Sequence, residues 1–427
     1  MSHELDAGRL FSNFPGYGGR ELSALEMRQG TGAPMAWSHD PREVGWGVIF
    51  GKSASTELSH AIRESLGQLR LAGASELWKK QHLYLRTPSP DESCESYLRS
   101  YRQEPGAPID PDRFPYYVLI VADPADISFE FEMNLGMQNA VGRLWLGDEL
   151  ENYQPYLDEI TQAGNGAGQS ARTPIYLLES SDPDGAIQLG RKHLMSPLCT
   201  KLANITGAPE SPVPSAPSDF PKNFSTHGMY FSLSHGMEVP FQTDEDKERQ
   251  LERERLQGIP VDISQIQLNP SFDVAPSLPY SNKAWWAFAC HSAGTTKFDP
   301  IEIAMGKSKQ QADTDMSSKL ERHCLGNANG SMRFFVGSLN RVTVMSYLTS
   351  DWTSYITHFV KMLDGLARGL PVGWVREHTL SGLWTSALLQ LEYSRSRGNL
   401  GALKACFQQY HDFRSFVVRG DPAAFLG

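Results

Sequence analysis

Ala284-Trp285-Trp286-Ala287-Phe288-Ala289-Cys290-His291-Ser292-Ala293-Gly294-Thr295 decides how the rest of the chain is read. The apolar run from Ala284 to Ala289 has no polar alternation, the pattern of a strand covered on both faces. It ends in a cysteine followed by small, turn-forming residues. Upstream, Met229-Tyr230-Phe231-Ser232-Leu233-Ser234 has the same strand character and ends in His235-Gly236. The functional edge of a parallel sheet lies at the C-terminal ends of its strands, so two adjacent strands of this kind would bring a thiol and an imidazole together. A thiol attacks a carbonyl as the thiolate and needs a neighbour to take its proton, most often a histidine. Cys290 is therefore the candidate nucleophile and His235 the candidate base. The backbone N–H groups of Gly236 and Cys290 are candidates for an oxyanion hole. Alone, a cysteine after an apolar run also reads as core packing, and a single histidine as a hydrogen-bonded structural residue. The matched placement, with a glycine near each, favours the pair.

The whole chain bounds this reading. Its 427 residues suffice for two or three domains, and 40% apolar with 21% charged residues is an ordinary globular composition. A net charge of −10 disfavours a nucleic-acid partner, which needs clustered Lys and Arg. Cys94, Cys199, Cys290, Cys324 and Cys406 are an odd, scattered set with no Cys-x-x-Cys pair, which points to free thiols in a reducing compartment. Cys290-His291 and His323-Cys324 lack metal-ligand spacing, so no metal is expected. Gly164-Asn165-Gly166-Ala167-Gly168 is no dinucleotide or P-loop fingerprint and reads as a loop, and no cofactor is expected. The first residues lack a signal-peptide pattern and no apolar run approaches a membrane span, so a cytoplasmic protein with no membrane partner is expected.

Residues 1–110 begin with a Gly- and Pro-rich stretch, then offer a short strand at Trp46–Gly51 and a helix at Thr56–Ala72; they read as an adaptor or pro-segment. From 111 to 210 strands and helices alternate: strands at Tyr116–Ala122, Asn139–Leu144 and Pro174–Leu178, helices at Glu149–Ala163 and Asp184–Leu202. That alternation predicts a parallel α/β sheet. Pro209–Pro221, dense in Pro and Ser, reads as a subdomain boundary. The remaining residues, 211–427, carry the histidine and cysteine strands, a third strand at Arg333–Gly337, helices at Ser350–Gly369, Thr379–Arg397 and Leu400–Asp412, and a closing strand that runs into Gly420-Asp421-Pro422-Ala423. An insertion, 237–283, separates His235 from Cys290. Its segment Asp244–Leu256 mixes both charges with almost no apolar face and reads as a solvated loop or surface helix, and as a place where the chain can be nicked.

The order of these features resembles the caspase-like cysteine peptidases of clan CD, and more closely the gingipain-like C25 family. The resemblance rests on a strand ending in His-Gly, a strand ending in Ala-Cys, Ala140-Val141-Gly142-Arg143-Leu144 before a Glu-containing helix, and the Gly-Asp-Pro-Ala closure. It spans residues 115–427. It implies an α/β fold of caspase-like three-layer α/β/α type with a mostly parallel sheet, preceded by a smaller α/β subdomain. It also implies cysteine endopeptidase activity with His235 as base and Cys290 as nucleophile, and a protein or peptide substrate. Gingipain-like enzymes often cleave after Arg or Lys, and the acidic balance agrees; Asp299 and Asp351 are candidate pocket acids. Arg341 is the feature that would support an acidic preference instead. With basic specificity, Arg249, Arg253 and Arg255 become activation points in the 241–282 loop of a zymogen, opened by itself, by another protease or by a regulatory protein, as in some bacterial stress or defence systems. The competing reading is an inactive caspase-like interaction module. His227-Gly228 precedes the histidine strand and reads as a turn, and His291 is expected to point away from Cys290.

Overall fold

The structure, a computed structural model, describes residues 38–164, 172–206, 212–224, 226–242, 247–262, 280–304, 307, 309–349 and 351–426. The first stretch, the glycine-rich residues 165–171 and residues 263–279 of the insertion lie outside these.

Nine strands form one sheet, in the order β1-β2-β3-β13-β12-β9-β6-β4-β5. They are β1 (Trp46–Phe50), β2 (Tyr117–Val121), β3 (Ala140–Arg143), β4 (Ile175–Ser180), β5 (Val213–Ser215), β6 (Gly228–Leu233), β9 (Lys283–Phe288), β12 (Phe334–Ser338) and β13 (Phe416–Arg419). Two-stranded ribbons join β7 (His235–Gly236) to β8 (Pro260–Val261), and β10 (Gly294–Thr295) to β11 (Met316–Ser317). Every position of β2, β6, β9 and β12 is buried, so both faces of the sheet are covered, as the continuous apolar runs require. The two tryptophans of β9 show how. Trp285 packs edge-on against Phe224 and Phe335, with its Nε1–H on Ser232 Oγ (2.8 Å), while Trp286 points the other way into Phe231, Phe359 and Phe416.

All neighbours in the sheet are parallel except β12 and β13, which run antiparallel. The sheet is thus two parallel halves of opposite direction, joined at that seam. β1, β2, β3 and β13 point their C-terminal ends to one edge; β12, β9, β6, β4 and β5 point theirs to the other. The sheet crosses the Pro- and Ser-rich stretch: β4 precedes it, β6 follows it, and the two pair from Ile175–Met229 to Glu179–Leu233. β1 joins the same sheet beside β2.

The closing Gly-Asp-Pro-Ala motif is a staple in this fold. Buried Asp421 accepts from Trp46 Nε1 (2.9 Å) and Arg70 Nε (2.7 Å), and its own amide donates to Tyr156 Oη (2.6 Å). Gly142 of β3 is required by the same corner, because a Cβ there would lie 2.3 Å from the Gly420 carbonyl oxygen. The helix expected from Thr379 begins earlier, at Val372, where Gly373 fits against Pro422. The helix expected from Ser350, itself outside the described residues, starts at Thr357, because the chain first turns back to bridge Leu348 with Ser354.

Candidate active site

Register sets the two key residues level with each other. β6 and β9 pair residue by residue from Gly228–Lys283 to Leu233–Phe288, and His235 and Cys290 each follow two residues later. Ser234 N donates to Phe288 O (3.3 Å), and the chains then diverge, His235 into β7 and Cys290 into a turn. Adjacent strands lie ~4.8 Å apart, so this register alone brings the imidazole and thiol to one place. Both line a small cleft walled by Ile187, Val342, Thr343 and Tyr347. His227, by contrast, lies at the opposite end of β6 and is exposed.

The His-Gly pair has a steric reason. An ideal Cβ on residue 236 would stand 1.8 Å from the Cys290 carbonyl oxygen and 2.8 Å from its amide nitrogen, so only glycine lets this strand end rest on the Cys290 backbone. Gly258 repeats the device two residues before β8, where a Cβ would be 2.0 Å from His291 O. Ser292 and Ala293 are small because they fold back onto β12, where Gly337 would place a Cβ 2.8 Å from Ser292 Oγ and 3.0 Å from Ala293 Cβ. Their smallness thus serves packing beneath the site. His291 takes a left-handed backbone (φ 59°), is fully buried, and donates its amide to Asn340 O (2.6 Å). A non-glycine residue in that region is strained, and here the strain sits directly after the thiol.

The structure adds a third residue that the sequence reading missed. Asp184 Oδ2 lies 3.2 Å from His235 Nε2. Asp184 follows β4, the strand beside β6, and caps the helix Gly185–Gly190 by accepting from Ala186 N (2.8 Å). Partial burial pushes its carboxyl up, but the Ala186 amide, the His235 ring and the Ile187 amide outweigh it and hold it below the usual range. The turn sequence Asp182-Pro183-Asp184-Gly185 at a strand end was the available signal.

The thiol is shifted toward its neutral form. Burial pushes the Cys290 thiol up; the Val342 amide, 3.5 Å from Sγ, opposes this, buried Asp412 reinforces it, and Arg341 opposes it. Asp412 fixes the cleft wall by accepting from Thr343 N at 3.0 Å and Thr343 Oγ1 at 2.7 Å, and burial keeps its carboxyl well above the normal value.

The remaining sequence candidates scatter. Asp299 is buried, caps the helix Pro300–Ala304 through Ile301 N (2.9 Å), and faces Arg341 at 3.5 Å. Asp351 is spent in an exposed turn on Thr349 Oγ1 and Thr353 N. Arg341 binds Glu238 through Nε (3.1 Å) and a terminal nitrogen (2.9 Å). Arg249, Arg253 and Arg255 belong to one helix, Lys247–Leu256, in which Arg253 is buried over the Phe241 ring and Arg255 is exposed. A peptidase binds extended chain, so cutting at any of the three requires that helix to unwind. Met237, Val239, Leu256, Ile259 and Val261 form a small core of their own, so the described ends of the insertion are packed. Among the described residues, no group of three or more His, Cys, Asp or Glu is arranged to hold a metal ion, and no helix is long and apolar enough to cross a membrane.

No protein-family model matches the chain, and no curated protein matches it. Solved structures similar to it include one described as a protease, at 11% identity and a TM-score of 0.48, covering 93% of this chain and 80% of that one. Another is the complex of the pro- and mature domains of Porphyromonas gingivalis RgpB, at 10% identity and a TM-score of 0.45, covering 90% of this chain and 80% of that one.

Proposed function

We propose that the chain is a cysteine endopeptidase. Cys290 is the nucleophile, His235 the general base and acid, and Asp184 the group that orients the imidazole. The observation that carries this reading is the shared register of β6 and β9, which brings an imidazole and a thiol to one cleft, with the carboxylate of Asp184, after the neighbouring β4, 3.2 Å from the ring. Asp184 lies 3.2 Å from Nε2 without a formed hydrogen bond, and we assign Nδ1, the other ring nitrogen, to proton transfer. His235 takes the thiol proton, the thiolate adds to the scissile carbonyl, and the oxyanion is received by the backbone amides of Cys290 and Gly236. His235 then gives its proton to the leaving amine, and water hydrolyses the thioester.

The raised thiol and the closely packed wall at Val342 and Thr343 support a latent resting form, activated by loosening the insertion, whose Gly258 rests on the His291 carbonyl next to Cys290. Such an enzyme suits a regulated intracellular role, such as bacterial stress or defence. The alternative is a non-catalytic module, and the presence of all three groups favours the enzyme. The test is turnover of a mixed peptide library by the chain, intact and after limited proteolysis of the insertion, beside Cys290→Ala and His235→Ala. Cleavage that disappears in both variants supports the reading. No cleavage in either form, or cleavage that survives both changes, rejects it.

A further inference from the structure

The cleft that holds the dyad also has to receive the substrate side chain next to the scissile bond. A carbonyl carbon under attack comes to within about 3.5 Å of the sulfur, and the Cβ of the same residue is about 2.5 Å from that carbon. That side chain therefore enters the space around Cys290. Sheet order β4-β6-β9-β12 sets the walls, because the segment after β4 stands on one side of the two dyad strands and the segment after β12 on the other. Ala186 and Ile187, in the helix that Asp184 caps, form the first wall, and Val344 and Tyr347 form the second. Leu233 and Phe288, the last residues of β6 and β9, line the cleft between them. These surfaces are fixed. Phe288 packs on Tyr347, Phe359 and Phe416 with ring centroids 5.9, 5.8 and 5.6 Å away, and Leu233 seats against Gly190, where a Cβ would lie 2.7 Å from its Cδ2.

Apart from the dyad, the described residues that line the cleft offer a substrate no charge. Tyr347 is the other ionisable group among them, and burial pushes its phenol up, so it stays neutral. Thr343 spends its hydroxyl on Asp412 at 2.7 Å, and Ser234 Oγ is itself buried. The acids around the cleft are turned elsewhere: Asp412 to the amide and hydroxyl of Thr343, Asp184 to the Ala186 amide (2.8 Å) and the His235 ring. Arg341 pairs with Glu238 and Asp299, and Asp351 sits in its exposed turn, so no charged candidate from the sequence lines the cleft. A Lys, Arg, Asp or Glu side chain placed here would leave water without gaining a partner, which is costly. An aliphatic side chain gains by the same move. Size sets a second limit: the cavity is ≈ 70 Å³, about half of the roughly 150 Å³ apolar cavity that admits a benzene ring, so it takes roughly three or four carbons.

We infer, resting on the peptidase reading, that this cleft is the subsite for an aliphatic side chain of valine or leucine size, that the chain cuts after such residues, and that Ile187 and Val344 set the preference. The basic preference expected from sequence fails because no acid that would answer a cation lines the cleft. Selection is also tied to the dyad. The turn from Asp184 to Ile187 presents a carboxylate to His235 and an apolar wall to the substrate, so one helix start positions both.

The experiment uses the full chain, intact and nicked in its insertion, with acyloxymethyl ketone probes that differ only in the residue bearing the reactive carbonyl: Leu, Val, Phe, Asn, Asp or Lys. Adducts on Cys290 are quantified by intact mass. The Leu and Val probes are expected to label at least about tenfold faster than the Asn, Asp and Lys probes, and faster than the Phe probe. Ile187→Asp, which puts a carboxylate in the wall, raises the Lys-probe rate and lowers the Leu-probe rate, each by about tenfold. Ile187→Ala widens the cleft and brings the Phe probe level with the Leu probe. Val344→Asp, on the half-buried wall, carries the same test where Ile187→Asp does not fold. A Phe, Asn, Asp or Lys probe that labels fastest, a preference unmoved by both Asp substitutions, or no labelling by any probe in either form overturns the inference. The two failures are separable: Cys290-dependent hydrolysis after charged residues rejects the subsite and keeps the peptidase, whereas Leu- and Val-selective labelling without hydrolysis of any peptide keeps the subsite and rejects the peptidase.

Discussion

The two halves of the sheet end in opposite ways. At the C-terminal edge of β3 and β13 stand Arg143 and Arg419, both fully buried and ion-paired: Arg143 with Glu132 (2.6 Å) and on the Ala122 and Ile127 carbonyls, Arg419 with Glu132 and Glu321 (2.5 Å each) and on Ala293 O (3.2 Å), although Arg419 Nε and the two Glu321 oxygens form no hydrogen bond. At the C-terminal edge of β6 and β9 stand His235 and Cys290, half-open to a cleft, with Asp184 3.2 Å from the His235 ring and one strained backbone, at His291, beside them. The same parallel geometry yields a buried charge knot on one side and, on the other, an open cleft that holds an imidazole and a thiol. Charges buried away from solvent and neutralised by opposite charges make structure, and titratable groups partly open to a cleft make a candidate site. Ala293 O, held by Arg419, is the point where the knot steadies the turn that follows Cys290.

The contrast breaks most sharply under substitution. Cys290→Ala on the open edge is expected to lower peptide hydrolysis by at least about a thousandfold while leaving the denaturant midpoint nearly unchanged. Arg419→Ala on the closed edge does the reverse first: it strands Glu132 and Glu321 and is expected to destabilise by roughly 3–5 kcal/mol in urea unfolding. An Arg419→Ala protein as stable as the parent would show that the knot is not what closes that edge. Asp184→Asn sharpens the open side. Asn still caps a helix, so stability should hold, while kcat falls on the order of a hundredfold because the ring loses its anionic partner. A kcat equal to the parent's removes Asp184 from the site.

The smallest effect is a pH slope. Burial holds His358 down to about 3 and His291 to about 4, so both are neutral when folded but take up protons in the unfolded chain below its usual value of about 6.5. The unfolded state then binds more protons, and these two groups withdraw stability as pH falls from about 6.5 toward 4. His358→Phe should flatten the slope of unfolding free energy in that window by up to about 1.4 kcal/mol per pH unit. An unchanged slope means His358 is accessible to protons in the folded chain.

The meeting of His235 and Cys290 was legible in sequence. The apolar runs of β6 and β9 needed no partner to be recognised, and their equal offsets to His235 and Cys290 became a shared register. The helix Leu400–Ser415 and the strands β2, β3 and β12 were legible for the same reason, periodicity and continuous burial. What stayed hidden depends on long-range pairing. Arg70 and Trp46 meet Asp421 across more than 350 positions, and no local pattern announces that. Asp184 carries an ordinary capping signature and acquires its second role only because β4 lies beside β6. Asp299 and Asp351 looked alike as acids near the edge, yet one is buried under a helix start and the other is spent in a surface turn.

The central claim is that the open edge cuts peptide bonds through Cys290. Its most direct test is mass-spectrometric mapping of new N-termini in a denatured protein mixture exposed to the chain after its insertion has been nicked, with Cys290→Ala in parallel. The account predicts cuts concentrated after one class of residue and absent from the Cys290→Ala sample; the same termini in both samples, or none in either, would contradict it.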